Sequence, residues 1–111
     1  MPLATGGFYY RVMGEDFIAV DSRLPAAKKL LVLFHELGHF LFHTPQSGTT
    51  ANFHAVGRRM KKECEADIFA LCALIPRSWI ESRHPTELID DEGFSAEIVE
   101  ARQKIFVTYG I

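Results

Sequence analysis

Apolar residues fall into several stretches of this chain, and their spacing differs from one stretch to the next. Residues 8–13 (Phe-Tyr-Tyr-Arg-Val-Met) are aromatic and β-branched, and residues 17–21 alternate Phe17, Ala19 and Asp21 against Ile18 and Val20. With Gly14, Glu15 and Asp16 between them, the two runs predict a β-hairpin that turns at 14–16. Residues 25–43 predict a helix, because Pro25 suits a first-turn position and nearly every residue from Leu30 to Phe42 is apolar. Such a helix is expected to be buried on most sides. Its polar exceptions fall together: at about 100° per residue, His35, Glu36, His39 and His43 share an arc of roughly a quarter turn, which would open into a cleft. A second helical pattern runs over 63–75 and is stopped by Pro76. There Glu63 shares a stripe with Ala66, Ala70 and Ala73, small side chains that would let this helix approach the first closely. Residues 46–56, rich in Gly, Thr and Ser, form the longest predicted loop and are expected to border the cleft. Beyond a polar stretch over 82–93, residues 95–109 read as an amphipathic helix capped by Ser95, with Ile98, Ala101, Ile105 and Thr108 on its inner side.

Composition narrows the class. A chain of 111 residues that is 48% hydrophobic can bury a core, so 1–111 is expected to be one small domain with no room for a second of ordinary size. A net charge of −2 argues against a general nucleic-acid binder, which would carry a clustered basic patch. The most apolar helix is short of the roughly 18 uninterrupted apolar residues that a membrane span needs, and Lys28, Lys29, His35 and Glu36 interrupt it. No secretory signal is visible at the start, so the expected setting is cytoplasmic, without membrane insertion. Cys64 and Cys72 lie two turns apart on one predicted helix, too far for a disulfide, which needs Cα atoms within about 7 Å. They read as reduced packing thiols. No internal repeat or low-complexity segment appears.

The chemistry lies in His35-Glu36-Leu37-Gly38-His39. Positions i and i+4 stack on one helix face, so both imidazoles can reach one metal ion, while Glu36 flanks it, as a general base should. The small Val32 three residues before the first histidine, and the absence of charge through the rest of 32–41, suit a buried metal site, where a stray charge would demand solvation. Catalytic zinc usually takes three protein ligands. Glu63 is the candidate third, and Asp67, one turn on, is placed to accept the other N–H of a ligand histidine and fix its tautomer. Glu65 lies about 200° around from Glu63 and is expected to face away. His54, in the loop, is a candidate donor to a tetrahedral intermediate, or else a solvated loop histidine. Arg58, Arg59, Lys61 and Lys62 oppose the positive end of the second helix and read as a solvated face or as a contact for an acidic patch on a substrate.

The pairing of His-Glu-Leu-Gly-His with a downstream Glu-x-x-Ala-Asp-x-Phe-Ala-x-x-x-Leu-Ile-Pro, from Glu63 to Pro76, resembles the ImmA/IrrE family of metallo-endopeptidases. These are small zincins with a glutamate as third ligand, and the resemblance covers about residues 8–76. It implies His35, His39 and Glu63 as Zn²⁺ ligands and Glu36 as catalytic base. It also implies an α+β, minimal zincin-like domain: a small antiparallel hairpin packed on an active-site helix and a second ligand-bearing helix, plus a C-terminal helix. In zincins the sheet edge beside the active-site helix can accept an extended substrate as an added strand. The implied activity is zinc-dependent endopeptidase action on a protein substrate, in known members commonly a helix-turn-helix repressor, with no direct contact to nucleic acid. The alternative is a metal-binding regulatory module that holds a repressor or other partner without cutting it. A deformylase-like hydrolase would use a cysteine ligand upstream of the histidine pair, and both cysteines here lie downstream.

Overall fold

The computed structural model describes the backbone of residues 6–43 and 56–111, with the side chains of all of these except residues 43 and 56–60. The fold is α+β, an antiparallel two-stranded hairpin followed by helices. Strands β1 (Gly7–Val12) and β2 (Glu15–Val20) pair from Gly7 opposite Val20 to Val12 opposite Glu15. Only Met13 and Gly14 join them, with φ of 52° and 79°. Positive φ at both central residues is what a type I′ turn requires, and its twist matches that of the strands. The turn is therefore tighter and earlier than the expected 14–16, and Glu15 and Asp16 belong to β2. From there Asp16 accepts from the Tyr9 hydroxyl at 2.6 Å and from Arg11 Nε at 2.7 Å.

Helix α1 (Ala26–His43) begins just after Pro25 as expected, and α2 (Val56–Leu74) ends just before Pro76. Proline shapes the next segment, because it can start a turn of helix but cannot continue one. Pro76 precedes α3 (Arg77–Ser82) and Pro85 opens α4 (Pro85–Asp90), so the stretch expected to be merely polar holds a helix; there His84 Nδ1 accepts from Thr86 N at 3.2 Å. Helix α5 (Ala96–Tyr109) is capped as expected, with Ser95 Oγ accepting from Ile98 N at 3.2 Å.

The core joins Leu31 and Val32 of α1, Ala70, Leu71 and Leu74 of α2, Leu88 of α4, and Ile98, Val99 and Ile105 of α5. Three expectations about it need correction. Helix α1 is not buried on most sides: Leu30, Leu33, Leu41 and Phe42 are between 39% and 59% exposed. The hairpin and α2 flank α1, His35 and Glu36 of its polar arc are buried, and the side carrying Leu30, Leu33 and Leu41 stays exposed. Ala66 and Ala70 are fully buried, but Ala73 is exposed, so the buried small-residue stripe ends at Ala70. Thr108 is also exposed, and the inner side of α5 includes the fully buried Arg102 instead. Its guanidinium donates to the Ile75 carbonyl at 2.6 Å and to the Ile111 carbonyl at 2.7 Å, tying the end of α2 to the end of α5. Cys64 is exposed, so it is not a buried packing thiol; Cys72 is half-buried, and both are free.

Two glycines set the approach of the elements around α1. A Cβ on Gly38 would sit 3.0 Å from Phe69 and 3.4 Å from the Ala66 backbone, so α2 lies directly against α1 there. A Cβ on Gly7 would run into Val32 Cγ1 and come within 2.8 Å of the Ala19 carbonyl. Overpacking of this kind typically costs about 1–3 kcal/mol. Gly7→Ala is expected to lose about that much stability in a urea titration at unchanged slope, and a variant as stable as the parent would show that β1 is free to move off α1.

Candidate metal centre

The i, i+4 spacing puts the His35 and His39 rings together on one face of α1, with Nε2 atoms 3.1 Å apart and ring planes at 80°. Because α2 packs against Gly38, its Glu63 reaches the same point. Glu63 Oε2 lies 3.0 Å from His35 Nε2, and Oε1 lies 2.8 Å from His39 Nε2. One ligand atom from each residue falls within 4.8 Å of the others, so this trio can hold a metal ion. Zinc bonds of about 2.0–2.1 Å in a tetrahedron separate ligand atoms by roughly 3.3 Å, only a few tenths more than the spacing here. Two imidazole lone pairs and a carboxylate converging on one point repel one another, and a divalent cation between them turns that repulsion into attraction. The donor set thus fits zinc.

Asp67, one turn beyond Glu63, lies behind His35. Its Oδ1 is 2.7 Å from His35 Nδ1, and neither of these buried atoms has another hydrogen-bond partner among the described residues. A proton on Nδ1 facing this carboxylate leaves the Nε2 lone pair pointing at Glu63 and His39, the tautomer that a ligand needs. Burial opposes charge on the His35 ring. The Asp67 hydrogen bond and the nearby charges of Asp67, Glu63 and Glu36 outweigh it and raise the pKa above 6.5.

Glu36 is buried beside the trio. Desolvation raises its pKa above 4.5; the charge of His35 lowers it, Glu63 raises it, and a hydrogen bond from the Tyr9 backbone N–H lowers it. Tyr9 stands on β1 and packs its ring on Phe40 of α1, at 5.8 Å between centroids. Sequence reasoning missed this contact between the hairpin and Glu36. The signal was Gly7 at the head of an aromatic strand, since glycine there marks a close backbone approach; a Cβ on it would lie 3.7 Å from Glu36 Cγ. Glu65 is exposed and faces Lys61 at 4.0 Å, away from the trio as expected. His54 lies outside the described residues, as do the side chains of His43, Arg58 and Arg59.

A hairpin, a histidine-bearing helix and a carboxylate-bearing helix meeting at one three-ligand point define a metallopeptidase-like domain. The chain belongs to the IrrE N-terminal-like domain family of peptidases, which it matches over residues 3–106. It is also similar to "Uncharacterized immunity region protein 2" of Bacillus phage phi105, at 31% identity over 78 residues, 70% of this chain and 49% of the relative. The chain thus spans about half the length of that curated relative. No solved structure matches the chain significantly. Among the described residues, no helix is long and apolar enough to cross a membrane.

The raised pKa values of His35 and Glu36 have the same consequence for the metal-free protein. A group bound more tightly to its proton when folded contributes stability that is complete below its unfolded pKa and lost as pH rises through its folded one. His35 loses its contribution above about pH 6.5 and Glu36 above about 4.5. In EDTA at constant ionic strength, Tm is expected to fall between about pH 6 and 8, through His35 above all. A Tm that climbs steadily over that interval contradicts the placement of His35 among three carboxylates.

Proposed function

We propose that this chain is a zinc-dependent endopeptidase that hydrolyses a peptide bond in a protein substrate. The observation that carries the reading is the convergence of His35, His39 and Glu63 beside the buried carboxyl of Glu36. His35, His39 and Glu63 would hold the metal, and Asp67 would fix the His35 ring. Bound zinc supplies Lewis acidity, bringing the pKa of a water toward 7 and polarising the substrate carbonyl. Glu36 takes the proton of the attacking water and returns it to the leaving amine. Its partly desolvated carboxyl is suited to this, because a base works best with a pKa raised toward the operating pH. The Tyr9 N–H keeps that carboxylate aimed from the side opposite α2.

The substrate class we favour is a DNA-binding repressor of the helix-turn-helix type, with the enzyme acting in the cytoplasm. Support comes from family membership and from the name of the phage relative, which places that protein in an immunity region. The test is digestion of a purified candidate repressor by the zinc-loaded protein, followed by mass spectrometry of the fragments. Fragments that appear with zinc and vanish in EDTA support the reading, whereas an intact, stable complex favours binding without cleavage.

Two variants divide the roles. Glu36→Gln is expected to keep zinc and slow cleavage by about two to four orders of magnitude, the usual worth of a general base; parental rates would remove Glu36 from that role. Glu63→Ala is expected to lower zinc affinity sharply in a chelator competition, whereas Glu65→Ala, two residues away, leaves it unchanged. The reverse order would move the third ligand.

A further inference from the structure

The two long edges of the hairpin are not equivalent. Val12 and Glu15 close the two-residue turn as a hydrogen-bonded pair, and pairs alternate from there. The backbone groups of Gly7, Tyr9 and Arg11 therefore point outward from β1, and those of Asp16, Ile18 and Val20 outward from β2. The β1 edge looks toward the metal trio, since the Tyr9 N–H meets Glu36 there. Among the described residues, the outward groups of Asp16, Ile18 and Val20 make no backbone hydrogen bond. Helix α1 carries its exposed leucines on this second flank. At about 100° per residue, Leu30, Leu33, Leu37 and Leu41 share an arc of roughly 80°, and Leu30, Leu33 and Leu41 are exposed. Strand and stripe are contiguous, because Val20 lines one hollow with Lys29, Leu30 and Leu33. An unpaired edge beside an apolar helix face is a double liability for an isolated chain.

We propose that this flank is the interface of a two-fold dimer, in which β2 pairs antiparallel with β2 of a second copy and the leucine stripes meet. Spacing favours a second copy. Helix α1 packs on both strands, and strands stand about 4.8 Å apart, so the α1 axes of two joined hairpins would lie about 9.6 Å from each other. Packed helices stand about 8–10 Å apart, so sheet and helices close together. Level agrees as well. Gly7 lies against Val32 and the Tyr9 N–H meets Glu36, so β1 runs along α1, and Ile18, opposite Tyr9, stands level with Glu36. A two-fold axis through Ile18 pairs Asp16 with the second copy's Val20. It also passes near the middle of the leucine stripe, setting Leu30 against the other Leu41. Charge completes the match. The same register puts Glu15 opposite Asp21, which holds Arg23 at 3.0 Å. Glu15 has no ion pair among the described residues and the Arg23 side chain is 88% exposed, so each Glu15 gains a cation. Helix faces about 18 Å long and 10 Å wide and strand edges about 20 Å long bury on the order of 500 Å² per copy. The total of about 1,000 Å² is at the threshold of a specific interface, so the dimer is expected to be weak, dissociating at about tens of micromolar. His35 and His39 lie on the far side of α1 from the leucines, so both metal sites stay open.

The test is sedimentation equilibrium of the metal-free full chain from micromolar to millimolar concentration, so it does not depend on the metal site. A rise from monomer to dimer is expected, and a chain that stays monomeric throughout overturns the proposal. Leu33→Lys and Leu41→Lys are each expected to weaken the dimer at least about tenfold, because an ammonium is carried into an apolar contact. Dimerisation at the parental level in both would also overturn it. Glu15→Arg and Arg23→Glu are each expected to weaken the dimer several-fold and, combined, to restore it. Both residues are exposed, so this pair keeps the test valid if a lysine variant fails to fold. A double variant no better than either single one overturns the proposed register. Amide exchange then locates the contact: the N–H groups of Asp16, Ile18 and Val20 are expected to slow in the dimer, while Arg11 on the other edge keeps its rate. A dimer in which those three exchange as fast as in the monomer uses another surface and overturns the proposal.

Discussion

A carboxylate on a glutamate is short, and the helix that bears Glu63 must come almost into backbone contact with α1 for it to reach two histidines. That approach occurs at Gly38, in the middle of the histidine motif, where any side chain would press into Phe69 and the Ala66 backbone. Ala66 and Ala70 complete the small-residue seam on the other helix. Two helices each carrying an i, i+4 pair then meet so that His39 faces Glu63 and His35 faces both Glu63 and Asp67. The convergence is a consequence of packing, and losing the close approach would separate the ligands while leaving each helix intact.

A second close approach governs Glu36. Glu36 points to the side of α1 occupied by the hairpin, where Gly7 allows β1 to lie against Val32 and brings the Tyr9 N–H to the carboxylate. The hairpin therefore closes one wall of the site as well as covering core. Its tight turn at Met13-Gly14 fixes the register, which in turn decides that Tyr9 and not Tyr10 faces α1. Tyr10 instead stacks on Phe17 on the outer face, at 5.2 Å.

Much of this was legible in the chain. The helix at 25–43, the stop at Pro76, the cap at Ser95, the shared face of His35 and His39 and that of Glu63 and Asp67 derive from local spacing, because i, i+4 geometry is fixed once a helix forms. That the two faces meet depends on how α2 packs on α1, which the paired motifs signalled only through the family resemblance. The features that were not legible depend on contacts between elements. The exposure of Leu30, Leu33 and Leu41 reflects which sides of α1 find a neighbour, and apolar content alone does not tell. The burial of Arg102 is equally hidden, since its two acceptors are backbone carbonyls 27 and 9 residues away and carry no side-chain signature. The helix α4 lay under a polar composition, although Pro85 marked its start.

The central proposal is that three side chains from two helices hold one zinc ion. X-ray absorption at the zinc edge of the loaded protein tests them directly. It is predicted to show only nitrogen and oxygen neighbours at about 2.0–2.2 Å, with the multiple scattering of two imidazoles. A sulfur neighbour near 2.3 Å, pointing to Cys64, or the signature of fewer than two imidazoles would contradict it.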